Sequence, residues 1–245
     1  MKILGIESSG LVASVAIVED DKLLAEYTIN YKKTHSQTLL PMLDEIVNMT
    51  ELDLMTIDAI AVSAGPGSFT GLRIGSATAK GLGMALKKPL ISIPTLDGLA
   101  YNLYGTGDII CPLMDARRSQ VYTGIYEFQG ERLHAIEQRM AVSVQEITEK
   151  LNKLGRTVIF LGDGEPVYRD MIEEMMKVPY SLAPAHINKQ RAGAVAALGI
   201  QYMQQGRTEP AAEHRPDYIR LSQAERERAK KEAPCGYTGC PEKIC

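Results

Sequence analysis

The segment Gly65-Pro-Gly-Ser-Phe-Thr-Gly-Leu-Arg-Ile-Gly-Ser-Ala-Thr-Ala-Lys-Gly-Leu-Gly83 carries the clearest structural signal in this chain of 245 residues. The apolar run Ile60-Ala61-Val62 before it predicts a buried strand. The segment itself predicts a glycine-rich turn followed by a helix. Small residues recur at every fourth position of that helix and therefore share one side of it. We call these residues the glycine stripe: Gly71, Gly75, Ala79 and Gly83.

The glycine stripe needs a physical reason, because an interior glycine destabilises a helix by roughly 1 kcal/mol relative to alanine. Close approach of another helix is such a reason, since small side chains let two backbones pack tightly. We therefore interpret the stripe as a surface that packs against a partner.

The patterning of apolar residues predicts a similar order of elements twice. The first 103 residues predict the order βββαβαβα. After a linker at Tyr104–Gly107 a similar order begins, without a strand between its last two helices. This mixture of an antiparallel meander and parallel crossovers excludes a plain Rossmann unit and a TIM barrel. We predict an α/β fold with an N-terminal lobe at 1–103, a degenerate C-terminal lobe at 104–222 and a charged, flexible tail at 223–245.

Composition narrows the classes of function. A net charge of −3 and a pI near 5.9 argue against a protein that holds nucleic acid unaided. The absence of tryptophan and the presence of only three phenylalanines argue against stacking platforms for single strands. No apolar run approaches the ~20 residues that span a bilayer, and Met1–Glu7 does not resemble a signal peptide. We expect a cytoplasmic protein without membrane contact.

The cysteines fall into two groups. Cys111 stands in an apolar run and is expected to be a small buried hydrophobe. Cys235, Cys240 and Cys245 follow a C-x4-C-x4-C spacing near the end of the chain, which matches no usual zinc pattern. A metal site and a flexible, reduced tail both stay open for these three cysteines.

The loop at 65–71 joins a predicted strand to a helix N-terminus, where phosphates bind well. It matches neither a Walker A loop nor a dinucleotide fingerprint. Glu7 ends the first predicted strand, and its carboxylate can either orient a magnesium-bound phosphate or accept N–H groups in a turn. The residues that would contact a nucleotide here are Glu7, Ser8, Gly67 and Ser68.

No catalytic or metal-binding set is evident in the sequence. The four histidines include no pair at i,i+4, so three convergent metal ligands cannot be assembled. There is no Gly-x-Ser-x-Gly elbow and no placed Cys/His pair. The sequence Asp115-Ala-Arg-Arg118 at a strand end suits either a site or a surface ion pair. We therefore assign no catalytic residue and expect the chain to assist chemistry performed by another protein.

Five segments together resemble the TsaB family, also called YeaZ, in order over about residues 1 to 221. The segment Gly65–Gly81 is the most specific of them. The other segments are Gly5–Ser9, His35–Pro41, Asp115–Arg117 before Val121–Tyr122, and Pro216–Arg220.

The resemblance implies a two-lobed fold of the actin, hexokinase and acetate-kinase type, which is ribonuclease H-like. It also implies a non-catalytic scaffold subunit in the synthesis of N6-threonylcarbamoyladenosine in tRNA. The implied partners are a TsaD-type catalytic subunit, which requires this subunit, and a TsaE-type ATPase. The resemblance implies a subunit with no cofactor of its own, which contacts ATP or ADP and tRNA only within the complex. When alone, such a subunit forms a homodimer.

The resemblance assigns pairing to the predicted helices His35–Val47 and Gly71–Leu86, which the glycine stripe fits. The predicted interface residues are His35, Leu39, Met42, Leu43, Ile46, Gly71, Leu72, Gly75, Ser76, Ala79 and Gly83. Two other functions stay open: a stand-alone nucleotide-dependent phosphotransferase or carbamoyl-transfer enzyme of the same fold, and a metalloprotein that uses the cysteine tail.

Overall fold

The computed structural model describes residues 1–31, 33–117 and 119–219. The first lobe contains β1 (Lys2–Glu7), β2 (Ala13–Glu19), β3 (Lys22–Ile29), α1 (His35–Thr50), β4 (Ala59–Gly65), α2 (Phe69–Leu86), β5 (Leu90–Pro94) and α3 (Thr95–Tyr101). The second lobe contains β6 (Ile109–Asp115), β7 (Gln120–Gln129), β8 (Arg132–Ser143), α4 (Val144–Leu154), β9 (Val158–Leu161), α5 (Glu165–Met175), β10 (Tyr180–Leu182) and α6 (Ala192–Gln204). The predicted tail with Cys235, Cys240 and Cys245 lies outside the described residues.

The two lobes repeat one topology. The first sheet has the order β3-β2-β1-β4-β5, and the second has the equivalent order β8-β7-β6-β9-β10. In each sheet the first three strands pair antiparallel, the fourth pairs in parallel with the central first strand, and the fifth pairs in parallel with the fourth. The predicted α/β fold is confirmed, and β10, which the sequence pattern missed, completes the repeat.

Helix α6 covers a face of the first sheet, although in chain order it comes after all strands of the second lobe. Its apolar side chains, such as Val195 and Leu198, share a core cluster with Ile3, Ala61 and Ile91 of that sheet. Helix α3 shares its core cluster with strands β6 and β7 of the second lobe. A cut in the chain after residue 103 would therefore separate the first sheet from the helix that covers it.

A partly buried carboxylate, that of Asp97, links α3 to strand β7 and helix α6. Asp97 accepts hydrogen bonds from the hydroxyl of Tyr126 on β7 at 2.9 Å and from that of Tyr202 on α6 at 3.2 Å. Burial raises the pKa of Asp97, against the effect of the Tyr126 bond and of the nearby Arg139. The junction of the two lobes is thus held by paired polar groups as well as by apolar packing.

The structure also bears on the single apolar cysteine and on membrane-spanning helices. Cys111 is fully buried on β6, as predicted, and burial raises the pKa of its thiol to about 12. Among the residues that the structure describes, no helix is long and apolar enough to cross a lipid bilayer.

Candidate functional site

The glycine stripe faces into this chain, contrary to the partner surface predicted from the sequence. A Cβ on Gly71 would lie 2.1 Å from the backbone oxygen of Ser8, and one on Gly75 would lie 2.1 Å from the Ser8 Oγ. At the other end of α2, a Cβ on Gly83 would lie 2.8 Å from the Cβ of Ala211. Close packing within the chain therefore offsets the helix stability that is lost at these interior glycines.

The predicted interface residues behave in the same way. All of them except the half-buried His35 are buried. The apolar side chains of α1 turn toward the first sheet, where Leu39 and Met42 join a core cluster with Leu4 and Val62. Both helices are amphipathic and direct their apolar sides to the sheet, so five of the predicted interface residues belong to the core cluster beneath them: Leu39, Met42, Leu43, Ile46 and Ala79.

The outward side of these two helices offers a different surface. Leu40 on α1 and Met84 on α2 are 52% and 58% exposed, so each helix carries a large apolar side chain on its outward side. Among the described residues, no neighbouring atom lies within 4 Å of a Cβ built on Gly81, so these residues leave the α2 backbone accessible there. Because α1 and α2 pack on the same core cluster, their exposed sides lie next to each other. We call this surface the outer face; it comprises Leu40, Pro41, Asp44, Arg73, Ala77, Gly81, Met84 and Ala85.

The four residues predicted to contact a nucleotide meet at the turn after β1. Glu7 is buried, and its Oε1 accepts hydrogen bonds from the Ser9 backbone N at 2.6 Å and from the Ser9 Oγ at 2.5 Å. Its Oε2 accepts a short hydrogen bond from the Ser63 Oγ on β4. Both carboxylate oxygens therefore have partners within the chain, which is the structural role that the sequence left open for Glu7.

The residues around Glu7 also form hydrogen bonds and close contacts within the chain. Ser8 Oγ donates to the backbone oxygen of Gly71 at 2.9 Å. The Ser68 backbone N donates to the oxygen of Ser9 at 2.6 Å, and a Cβ on Gly67 would lie 2.3 Å from that same oxygen. The glycine-rich loop thus lies directly on the turn after β1. Nucleotide contact at these residues stays a prediction.

The Glu7 cluster gives a testable pH dependence. Burial raises the pKa of the Glu7 carboxyl above its ordinary 4.5, although hydrogen bonds from Ser63 and Ser9 oppose the shift. A carboxyl with a raised pKa in the folded state binds its proton more tightly there, so folding becomes less favourable as the pH rises past the ordinary value. We expect the unfolding free energy of the wild type, relative to Glu7→Gln, to decrease as the pH rises from 4.5. Urea unfolding of both proteins at several pH values measures this, and a relative increase would contradict the shift.

Two side chains close around Gly10 in the same turn: His35, which the sequence assigned to the interface, and Gln190, which sequence reasoning missed. His35 Nε2 lies 2.9 Å from the backbone oxygen of Gly10. A Cβ on Gly10 would lie 3.0 Å from the Nε2 of the buried Gln190. Among the described residues, neither polar atom of the Gln190 side chain has a hydrogen-bond partner. No local signal identifies Gln190, because it lies far from Gly10 in sequence.

In the sequence Asp115-Ala-Arg, the Asp115 side chain forms hydrogen bonds within the second lobe. Asp115 Oδ1 accepts hydrogen bonds from the backbone N of Arg117 at 2.8 Å and from the hydroxyl of Tyr168 at 2.9 Å. Over residues 1–31, 33–117 and 119–219, no group of three or more His, Cys, Asp and Glu side chains is placed to hold a metal ion.

Comparison with known proteins gives a consistent result. A family model described as TsaD: tRNA N6-adenosine threonylcarbamoyltransferase matches residues 22–228. The chain is 33% identical to the tRNA threonylcarbamoyladenosine biosynthesis protein TsaB of Bacillus subtilis, over 92% of this chain and 96% of the relative. It is 28% identical to the TsaB protein of Escherichia coli, over 90% and 95% of the two chains. The crystal structure of YeaZ from Pseudomonas aeruginosa superimposes with a TM-score of 0.77 at 24% identity, over 89% of this chain and 99% of that one.

Proposed function

The chain belongs to the TsaB family of tRNA threonylcarbamoyladenosine biosynthesis proteins, and from that membership we propose that it is a non-catalytic subunit that binds and activates a TsaD-type transferase. The further partners in this proposal are a TsaE-type ATPase and, through the complex alone, tRNA. ATP or ADP enters only within the complex, and the cytoplasmic location stays a prediction.

The observation that carries the proposal is the outer face of α1 and α2. Leu40 and Met84 are exposed apolar side chains on this face, and apolar surface that is left exposed can mark a protein–protein interaction site. Ala77, Gly81 and Ala85 recur at every fourth position, so they form a strip on which a second helix can approach closely. The pairing surface that the sequence placed on the buried glycine stripe is therefore proposed on the opposite side of the same helices.

The turn after β1 supports a non-catalytic role. The carboxylate of Glu7 and the hydroxyl of Ser8 are committed to hydrogen bonds within the chain, and the glycine-rich loop covers them. A group that is buried and fully hydrogen-bonded is poorly placed to bind a substrate or transfer a proton to it.

Reconstitution tests the proposal. Threonylcarbamoyl-adenylate, tRNA, the TsaD-type subunit and the TsaE-type ATPase of the same organism are incubated with and without this chain, and modified adenosine is measured by mass spectrometry. We expect modification only when the chain is present, and none when the chain replaces the TsaD-type subunit. Transfer by the chain alone would overturn the non-catalytic assignment, and undiminished transfer without it would overturn the proposed role.

A further inference from the structure

The last described residues run along α2, on the side away from α1. Glu209 exchanges backbone hydrogen bonds with Leu90 on the edge strand β5, at 2.9 Å in both directions. Lys80 on α2 donates through Nζ to the backbone oxygens of Ala212 at 2.9 Å and His214 at 3.2 Å. We call residues 208–219 the clasp.

Side chains within the clasp also fix it to the first sheet. The buried His214 Nδ1 lies 2.8 Å from Glu209 Oε1 and 2.9 Å from the Oγ of Ser92 on β5. This side-chain cluster and the backbone bonds of Glu209 hold the middle of the clasp to the edge of the sheet.

The end of the clasp contacts the N-terminal turn of α2. The Asp217 backbone N donates to the oxygen of Ala64 at 2.7 Å, just before the glycine-rich loop. The Tyr218 ring packs on the Phe69 ring with centroids 4.6 Å apart. Arg73, which belongs to the outer face, lies 4.0 Å above the Phe69 ring, and its Nε donates to the Tyr218 hydroxyl at 3.4 Å.

The same end of the clasp reaches the second lobe. The carboxylate of Asp217 pairs with the guanidinium of Arg139 on β8, with Oδ2 and Nη1 3.0 Å apart. Two adjacent residues, Asp217 and Tyr218, thus connect the second lobe to the first turn of α2 and to an outer-face side chain.

We propose that the clasp couples the second lobe to partner binding. Asp217 and Tyr218 act as positioning residues: they hold the first turn of α2 and Arg73 in the orientation that the partner recognises. This inference rests on the proposed function. A partner that binds the closed clasp more tightly than the open one stabilises the closed state, and its apparent affinity falls when the closed state is less populated. The coupling is reciprocal, so partner binding also lowers the equilibrium population of the open clasp.

The first test uses Tyr218. We expect Tyr218→Ala to weaken binding of the TsaD-type subunit by about 2- to 10-fold, the range that loss of an aromatic contact produces. Tyr218→Phe keeps the ring on Phe69 and should restore most of the affinity. Arg156→Gln, which removes an exposed ion pair with Glu127 elsewhere on the second lobe, is the control and should bind like the wild type. Unchanged affinity of a folded Tyr218→Ala variant would overturn the proposal.

A double-mutant cycle separates positioning from direct contact with the partner. Asp217→Asn and Arg139→Gln remove the same ion pair from opposite lobes, so we expect each to weaken binding and the double variant to be no weaker than either. Additive losses would show that the two residues act independently and would contradict the coupling.

Hydrogen exchange gives a readout that does not depend on the partner. In the free chain, both single variants of the ion pair should speed exchange of the Leu72 amide, which donates to the Ser68 oxygen at 2.8 Å in the first turn of α2. If the wild type fails to bind the TsaD-type subunit, the proposed function fails, and unchanged exchange in the variants would independently refute the clasp.

Discussion

Gly75→Ala destabilises the chain by about 3 kcal/mol, because the added Cβ overpacks a full site and displaces a buried hydroxyl. The Cβ would lie 2.1 Å from the Oγ of Ser8, which already donates to the oxygen of Gly71. Ser8 is fully buried, so a displaced hydroxyl has no water to replace that bond. Urea unfolding of the purified variant measures the loss.

Gly81→Ala is the matched control on the same helix. No atom of the residues that the structure describes comes within 4 Å of a Cβ built at this position, and a helix interior favours alanine over glycine. We expect Gly81→Ala to unfold at the wild-type urea concentration or slightly above it. Equal destabilisation by the two variants would mean that the buried and exposed sides of α2 have been assigned incorrectly.

Gly81→Arg abolishes binding of the TsaD-type subunit while the chain stays folded. A long charged side chain at the centre of a close helix contact removes the packing and buries an unpaired charge, so affinity should fall by at least about 100-fold. Titration calorimetry against the TsaD-type subunit measures the change, and circular dichroism confirms the fold.

Gly107→Arg controls for the effect of a new arginine as such. Gly107 also has open space around a built Cβ, but it lies in the turn before β6, away from the outer face. Wild-type affinity is expected for this variant. Strong binding by Gly81→Arg would place the partner elsewhere on the chain.

The sequence predicted most elements because their patterns are local. Helix α4, for example, spans the amphipathic run Val144–Leu154 and ends where Gly155 adopts the left-handed conformation, which is a local signal for a helix end. Strand β10 was missed because the three residues Tyr180–Leu182 are too few to show a period.

Whether the glycine stripe faces the interior of the chain or a partner could not be predicted from local patterns. Small residues at every fourth position predict that another backbone comes close, but the pattern does not say whether that backbone belongs to the same chain. Here it is the turn at Ser8, brought beneath α2 by the pairing of β1 with β4. The contacts of Gln190 and Asp217 likewise join residues far apart in sequence, and no periodicity reveals them.

Sedimentation velocity of the chain mixed with the TsaD-type subunit of the same organism, for the wild type, Gly81→Arg and Gly107→Arg, is the decisive measurement. The proposed pairing predicts a faster-moving complex for the wild type and Gly107→Arg, and two separate boundaries for Gly81→Arg. A complex that forms equally well with Gly81→Arg, or no complex with the wild type, would contradict pairing through the outer face of α1 and α2.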